Sequence, residues 1–267
     1  MQDTKPVLIF RYAPTCSGIG DFLRGAGYIY DICTKTGVDF YLDITNPIHA
    51  FFEYPVYSGD TSTFTHMYFN TPNSIEGFSE FINGFPHKHN IILRSNMSNI
   101  WLPYIVTQLS TLLKPTQAIL TDVTSQLDQI GMQLHEYSCI HIRYGDKVLR
   151  GPVGAWDNRA GDDTELIDRT IAKAFAIRKD CNKPTLIISD NYDAKGAITR
   201  QYGCPLLDIK PVHTSFTKDS AAVHDTVIEF LIMANASEVL SVTRSGFPRW
   251  AAAYGGVDHT EVWQLKI

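Results

Sequence analysis

Three short polar clusters in the second half of the chain hold residue types suited to a phosphorylated or carboxylated ligand. They are His141-Ile142-Arg143-Tyr144-Gly145-Asp146, Ser189-Asp190-Asn191 and Thr243-Arg244-Ser245-Gly246. Each falls where an apolar, strand-like run ends: Ser138-Cys139-Ile140, Thr185-Leu186-Ile187-Ile188 and Val239-Leu240-Ser241-Val242. Ligands of an open parallel sheet bind outside the carboxyl ends of its strands, so three polar strand ends of one sheet point at one crevice. A strand that simply runs out into water also ends in polar residues. Strand periodicity puts His141 and Arg143 on one side and Ile140 and Ile142 on the other. The planar guanidinium fork of Arg143 suits phosphate or carboxylate; the other reading is a salt bridge to Asp146 or Asp190.

Two helix starts add to this. Ser245-Gly246-Phe247 precedes the helical stretch Pro248-Arg249-Trp250-Ala251, and hydroxyls, a glycine and backbone N–H groups at a helix start suit an anion. Gly18-Ile19-Gly20-Asp21 opens the first helix in the same manner. It is not the dinucleotide fingerprint G-x-G-x-x-G, because Leu23 stands at the third glycine's position. That argues against a dinucleotide-dependent oxidoreductase. Glu229 lies within the apolar run Val227 to Met233 and is expected to face solvent on an amphipathic helix. Alternatively, its carboxylate accepts the two adjacent N–H groups of a guanine edge. No D-x-D metal motif occurs in the chain.

The elements that must position these residues alternate. Val7-Leu8-Ile9-Phe10 reads as a strand, Phe22, Leu23, Ala26, Ile29, Tyr30 and Cys33 recur at helical spacing up to a stop at Gly37, and Phe40-Tyr41-Leu42 reads as the next strand. Residues 44–100, rich in aromatics, Asn, Thr and Pro, are expected to form short helices and loops, with a strand at Ile91-Ile92-Leu93. Helices are expected over 103–114 and 116–130. A second alternation follows: strands at 138–142, 185–188, 205–207 and 239–242, and helices at 163–178, 193–202, 220–235 and 247–254. Two consecutive α/β units joined near residues 115–135 predict two Rossmann-like lobes with a cleft between them, over residues 1–130 and 131–267. With 267 residues, 44% of them hydrophobic, the chain can bury a core of this size. Its net charge of 23 − 28 = −5 argues against a non-specific grip on nucleic acid. No run approaches the roughly 20 apolar residues of a membrane span, and the polar N-terminus lacks a signal peptide's apolar core. Five scattered cysteines without a C-x-x-C pair suggest the reduced thiols of a cytoplasmic protein.

In order and wording the three clusters resemble the fucosyltransferase superfamily of glycosyltransferases. Cys139 to Asp146 is similar to its first motif, H-x-R-R-x-D, Leu186 to Asn191 to its second, and Glu229 to Met233 with Ser241 to Ala252 to its third. The third is most similar to that of bacterial and viral α-1,2-fucosyltransferases. Gly18-Ile19-Gly20-Asp21 sits where the family has G-x-G-N. The resemblance implies a GT-B fold, with an acceptor-side N-terminal lobe and a nucleotide-sugar-binding C-terminal lobe. It implies transfer of a sugar, foremost L-fucose from GDP-fucose, to a glycan hydroxyl with inversion and without metal. Xylose, rhamnose or mannose nucleotides are the alternative donors, and a non-catalytic nucleotide- or glycan-binding module the alternative role. By the resemblance Arg143 holds the donor diphosphate, His141 and Glu229 contact guanine, and Thr243, Ser245, Gly246 and Phe247 surround the phosphates. Asp190 and Asn191 belong to the donor site through the second motif. Gly18 and Gly20 shape a loop near the reacting centre, where Asp21 is the first candidate base and Asp146 the second. Tyr144 stands in place of the motif's second arginine, and Asp21 in place of its loop asparagine.

Overall fold

The structure, a computed structural model, describes residues 5–13, 18–69, 90–95, 109–145, 164–214 and 217–265. The chain divides into two compact units, Met1–Pro115 with Thr214–Lys218, and Thr116–His213 with Asp219–Ile267.

The first unit begins β1 (Val7–Tyr12), α1 (Ile19–Thr36), β2 (Asp39–Ile44). Helical spacing of Phe22, Leu23, Ala26, Ile29 and Cys33 gives α1 one apolar face, and all five are buried. The helix stops where the glycine predicts: Gly37 takes a left-handed φ of 73°, and its N–H closes on the Cys33 carbonyl. Beyond a 3-10 turn at Pro47–Phe51 come β3 (Phe52–Glu53), β4 (Thr65–Phe69), β5 (Ile91–Ser95) and β6 (Lys114–Pro115). Strands β2-β1-β5-β4 form one sheet whose neighbours all run parallel. Strand β4 was not expected from the sequence. Among the described residues it is an edge strand paired only with β5, so Thr65-His66-Met67 lacks the apolar signal of a central strand. Of the helix expected over 103–114, residues 109–112 are helical, while Lys114 and Pro115 pair antiparallel with β3; its earlier part lies outside the described residues. The returning segment is anchored at Thr214, whose carbonyl accepts from Asn46 Nδ2 at 3.1 Å and whose hydroxyl lies 3.3 Å from that of Tyr12.

The second unit runs α2 (Gln117–Gln129), β7 (Ser138–Ile142), α3 (Thr164–Ile177), β8 (Thr185–Ser189), α4 (Tyr192–Tyr202), α5 (Ser220–Ala234), β9 (Glu238–Ser241), α6 (Gly246–Gly255) and β10 (Asp258–Glu261). Its sheet, in the order β10-β9-β7-β8, is parallel throughout. All five residues of β7 are buried, as befits a central parallel strand covered on both faces. Ile140, Ile142, Ile187, Leu240 and Val242 pack with Ile167, Ile171 and Ala174 of α3.

Two expectations are corrected, and one strand is added. Pro205-Leu206-Leu207 is not a strand; Leu207 and Ile209 are buried from irregular chain, so apolar alternation there reflects burial without a ladder. β10 carries no strand signal in the sequence because Asp258-His259-Thr260-Glu261 is polar and sits at the edge of its sheet. Glu229 does not face solvent. The last turns of α5, from Thr226 to Ala234, are buried all round, so the helix is a core helix and not an amphipathic one. Among the described residues no helix is long and apolar enough to cross a membrane.

Candidate functional site

The carboxyl ends of β7, β8 and β9 are tied together by side chains from the predicted clusters. Arg143 follows β7 directly, and its backbone N–H donates to Thr243 Oγ1 at 2.7 Å. The next two amides, of Tyr144 and Gly145, donate to the two carboxylate oxygens of Asp190 at 2.7 and 3.0 Å. Gly145 turns with a φ of 101°, a conformation that a side chain would strain. Thr243 after β9 and Asp190 after β8 thus fix three consecutive residues after β7. Arg143 is held half-buried at the sheet's carboxyl edge. Burial raises the Asp190 pKa, while the Tyr144 amide and the Arg143 charge act to lower it.

His141, on β7, is only 4% exposed. Burial, then the charges of Arg143 and His259, push its pKa down to about 3, so its ring is neutral at physiological pH. Its Nδ1 is buried and has no hydrogen-bond partner among the described residues. A buried polar atom left unsatisfied is costly, and a ligand that bonded it would gain. The ring lies 6.0 Å, centroid to centroid, from Phe247, which is itself 5.9 Å from Phe230 of α5.

Phe247 belongs to the start of α6. Ser245 caps this helix, its hydroxyl accepting from the Phe247 N–H at 3.3 Å, and Gly246 is exposed as the first helical residue. Helix dipole and first-turn amides favour an anion there. Asn191 caps α4, its Oδ1 accepting from the Ala194 N–H at 3.1 Å while its own N–H donates to Ser189 Oγ at 3.1 Å.

Glu229 lies in a buried ion pair that the sequence did not announce. Lys195 Nζ donates to its Oε1 at 3.1 Å and to the Ile209 carbonyl at 2.8 Å. The two side chains are 0% and 1% exposed. Burial pushes the Glu229 carboxyl up to about 7, although Lys195 acts to lower it; Asp225 and Asp190 add to the rise. Lys195 escapes sequence reading because a lysine four residues past the α4 cap looks like any solvated lysine. Its only signal is its pairing in space with a glutamate set in an apolar helix.

The second unit therefore brings His141, Arg143, Asp190, Thr243 and Phe247 together, with Ser245 and Gly246 at the helix start beside Phe247. In the first unit Gly18 is the N-cap of α1, followed by Gly20 and Asp21 in its first turn. The Asp21 carboxylate, with its side chain 42% exposed, is ion-paired to Arg24 one turn on. Asp146 lies outside the described residues.

No protein-family profile matches the chain. No curated protein matches it by sequence either. Solved structures do match by shape. NodZ α-1,6-fucosyltransferase soaked with GDP-fucose superposes with a TM-score of 0.63 at 15% identity, over 94% of this chain and 93% of that one. An Arabidopsis thaliana FUT1 mutant in complex with GDP gives 0.63 at 12% identity, over 97% and 71%. POFUT1 in its apo form gives 0.51 at 10% identity, over 97% and 98%. At such identities the likeness is one of architecture, and the chain shares the fold of these fucosyltransferases.

Proposed function

We propose that this protein is a glycosyltransferase of the fucosyltransferase superfamily. It moves L-fucose from GDP-fucose to a glycan hydroxyl, with inversion and without metal. In this reading it is a GT-B enzyme, with residues 1–130 serving the acceptor and 131–267 the donor. The observation that carries the reading is Arg143, pinned through its own amide to Thr243 at the edge where three parallel strands end. The shared fold with proteins whose structures hold GDP or GDP-fucose supports it.

As the glycosidic bond breaks, negative charge grows on the departing diphosphate. The Arg143 guanidinium and the amides at the start of α6 would receive it. They are fixed before the reaction begins, and such preorganised donors supply a large share of catalysis. They can do the work a divalent cation does in other transferases. Glu229 and the unsatisfied Nδ1 of His141 would take the guanine. The acceptor hydroxyl gives up its proton late in a loose transition state, so a weak carboxylate base suffices. Asp21 is our first choice for it and Asp146 the second.

Calorimetric titration with GDP, UDP and ADP tests the donor. GDP should bind tightest, and equal or tighter binding of UDP overturns the assignment to guanosine donors. Asp21→Asn tests the base. It keeps the shape of the helix start and loses a partly exposed ion pair worth about 0–1 kcal/mol. Melting temperature and GDP affinity should stay close to wild type while transfer falls about 100-fold. Unchanged turnover removes Asp21 from the chemistry.

A further inference from the structure

We propose that Lys195 is a specificity-determining positioning residue: it holds Glu229 as a carboxylate in the apolar interior and thereby makes the site select guanine over adenine. The inference rests on the reading above that Glu229 faces the base. Lys195 joins three parts of the unit. It stands on α4, bonds Glu229 on α5, and bonds the Ile209 carbonyl in the chain between them. Its ammonium also lies 5.6 Å from the centre of the Tyr192 ring, on its own helix. A lysine with no exposed side-chain surface gains nothing from solvent, so these contacts account for its place.

The choice of purine follows from hydrogen-bond inventory. Guanine presents two adjacent donors, N1–H and the N2 amino group, and requires two acceptors. An ionised carboxylate supplies both. A protonated carboxyl supplies one donor and one acceptor, which complement N1 and the N6 amino group of adenine. The charge state of Glu229 is thus a switch between bases. The groups facing it are Lys195 from α4, Asp225 one turn back on α5, Asp190 after β8 and the buried Cys139 thiol of β7. Of these Lys195 alone brings positive charge; Asp225 and Asp190 both favour the neutral acid. Burial drives the same way and leaves the carboxyl titrating at about 7 with Lys195 in place. Remove the ammonium and every remaining influence protonates Glu229 at neutral pH.

The test is calorimetric titration of GDP and ADP into the full chain, wild type and variants, at pH 6 and pH 8. The two ligands carry the same diphosphate, so its own titration cancels in their affinity ratio. In the wild type the GDP-to-ADP ratio should fall up to about 100-fold from pH 8 to pH 6, about tenfold from each ligand, as a group near 7 gains its proton. In Lys195→Met the ratio at pH 8 should drop at least tenfold, and ADP should bind more tightly than to wild type. A packing defect cannot produce that gain. Glu229→Gln, whose amide also offers one donor and one acceptor, should show the same fall with Lys195 intact, and the double variant no further fall. If Lys195→Met does not fold, the wild-type pH dependence and Glu229→Gln still decide. Equal weakening of both ligands in Lys195→Met, or a wild-type ratio independent of pH, overturns the role of Lys195. A wild type that binds GDP no better than ADP at pH 8 instead removes the underlying assignment of Glu229 to the base.

Discussion

Replacing Arg143 by alanine should slow sugar transfer by about 100- to 1,000-fold, the scale for losing one preorganised donor to developing charge. The backbone N–H bond of this position to Thr243 Oγ1 is one that alanine retains. The loss of turnover in the variant should therefore far exceed what any change in its melting temperature accounts for. Arg143→Lys restores the charge without the planar fork, so it should recover only part of the rate. Steady-state rates with GDP-fucose, beside GDP titrations, separate the two losses. A drop in GDP affinity alone would mean the guanidinium holds the ground state, whereas a drop in turnover places it on the departing diphosphate. Near-wild-type transfer by Arg143→Ala would mean that the diphosphate binds elsewhere.

The second large effect is structural. Gly255 ends α6 where that helix packs against the end of α5. A Cβ built on it would stand 1.8 Å from the Ala234 carbonyl oxygen and 2.6 Å from its carbon. Both atoms are backbone, so no side-chain rotation relieves the contact and the helices must separate. Gly255→Ala should cost about 3 kcal/mol, the upper end for overpacking. For a chain of this size that lowers the melting temperature by roughly 6–12 °C. Differential scanning calorimetry checks it. Helix propensity alone would predict the opposite sign, because alanine is the better helix former by about 1 kcal/mol. A rise in melting temperature would therefore show that the two helices do not approach this closely.

The central strands were legible because a parallel strand buried on both faces writes an unbroken apolar run, as in Cys139 to Ile142 and Leu186 to Ile188. The polar residues that end these runs could be read for the same reason. They break a pattern the core imposes, and Thr243 and Asp190 do meet the segment that carries Arg143. Edge strands β4 and β10 face the core on fewer sides and keep polar residues, so they left no comparable trace. Glu229 misled because one carboxylate in an apolar helix has two physical outcomes, a solvated face or a compensated burial. The compensating Lys195 lies 34 residues away in sequence. Gly255 reads only as part of a helix stop; its close contact with Ala234 exists only once both helices are in place.

The position of β7 within its sheet bears on how the chain is made. Its Ser138 pairs across to Thr185 on one side and to Glu238 on the other, the latter 100 residues later. A strand emerging from the ribosome with five buried-type residues must wait for about 100 further residues before both its edges are covered. The first unit waits too: the four strands of its parallel sheet are complete by Ser95, yet Tyr12 and Asn46 bond Thr214. Parallel pairing over such separations is slow, because loop closure precedes any contact energy. The first unit can finish only once Thr214 has been made, and the second only once β9 has followed, so both should complete late, the first before the second. Until then β7 is an open, apolar edge, and chaperone dependence and aggregation during expression should concentrate on that strand.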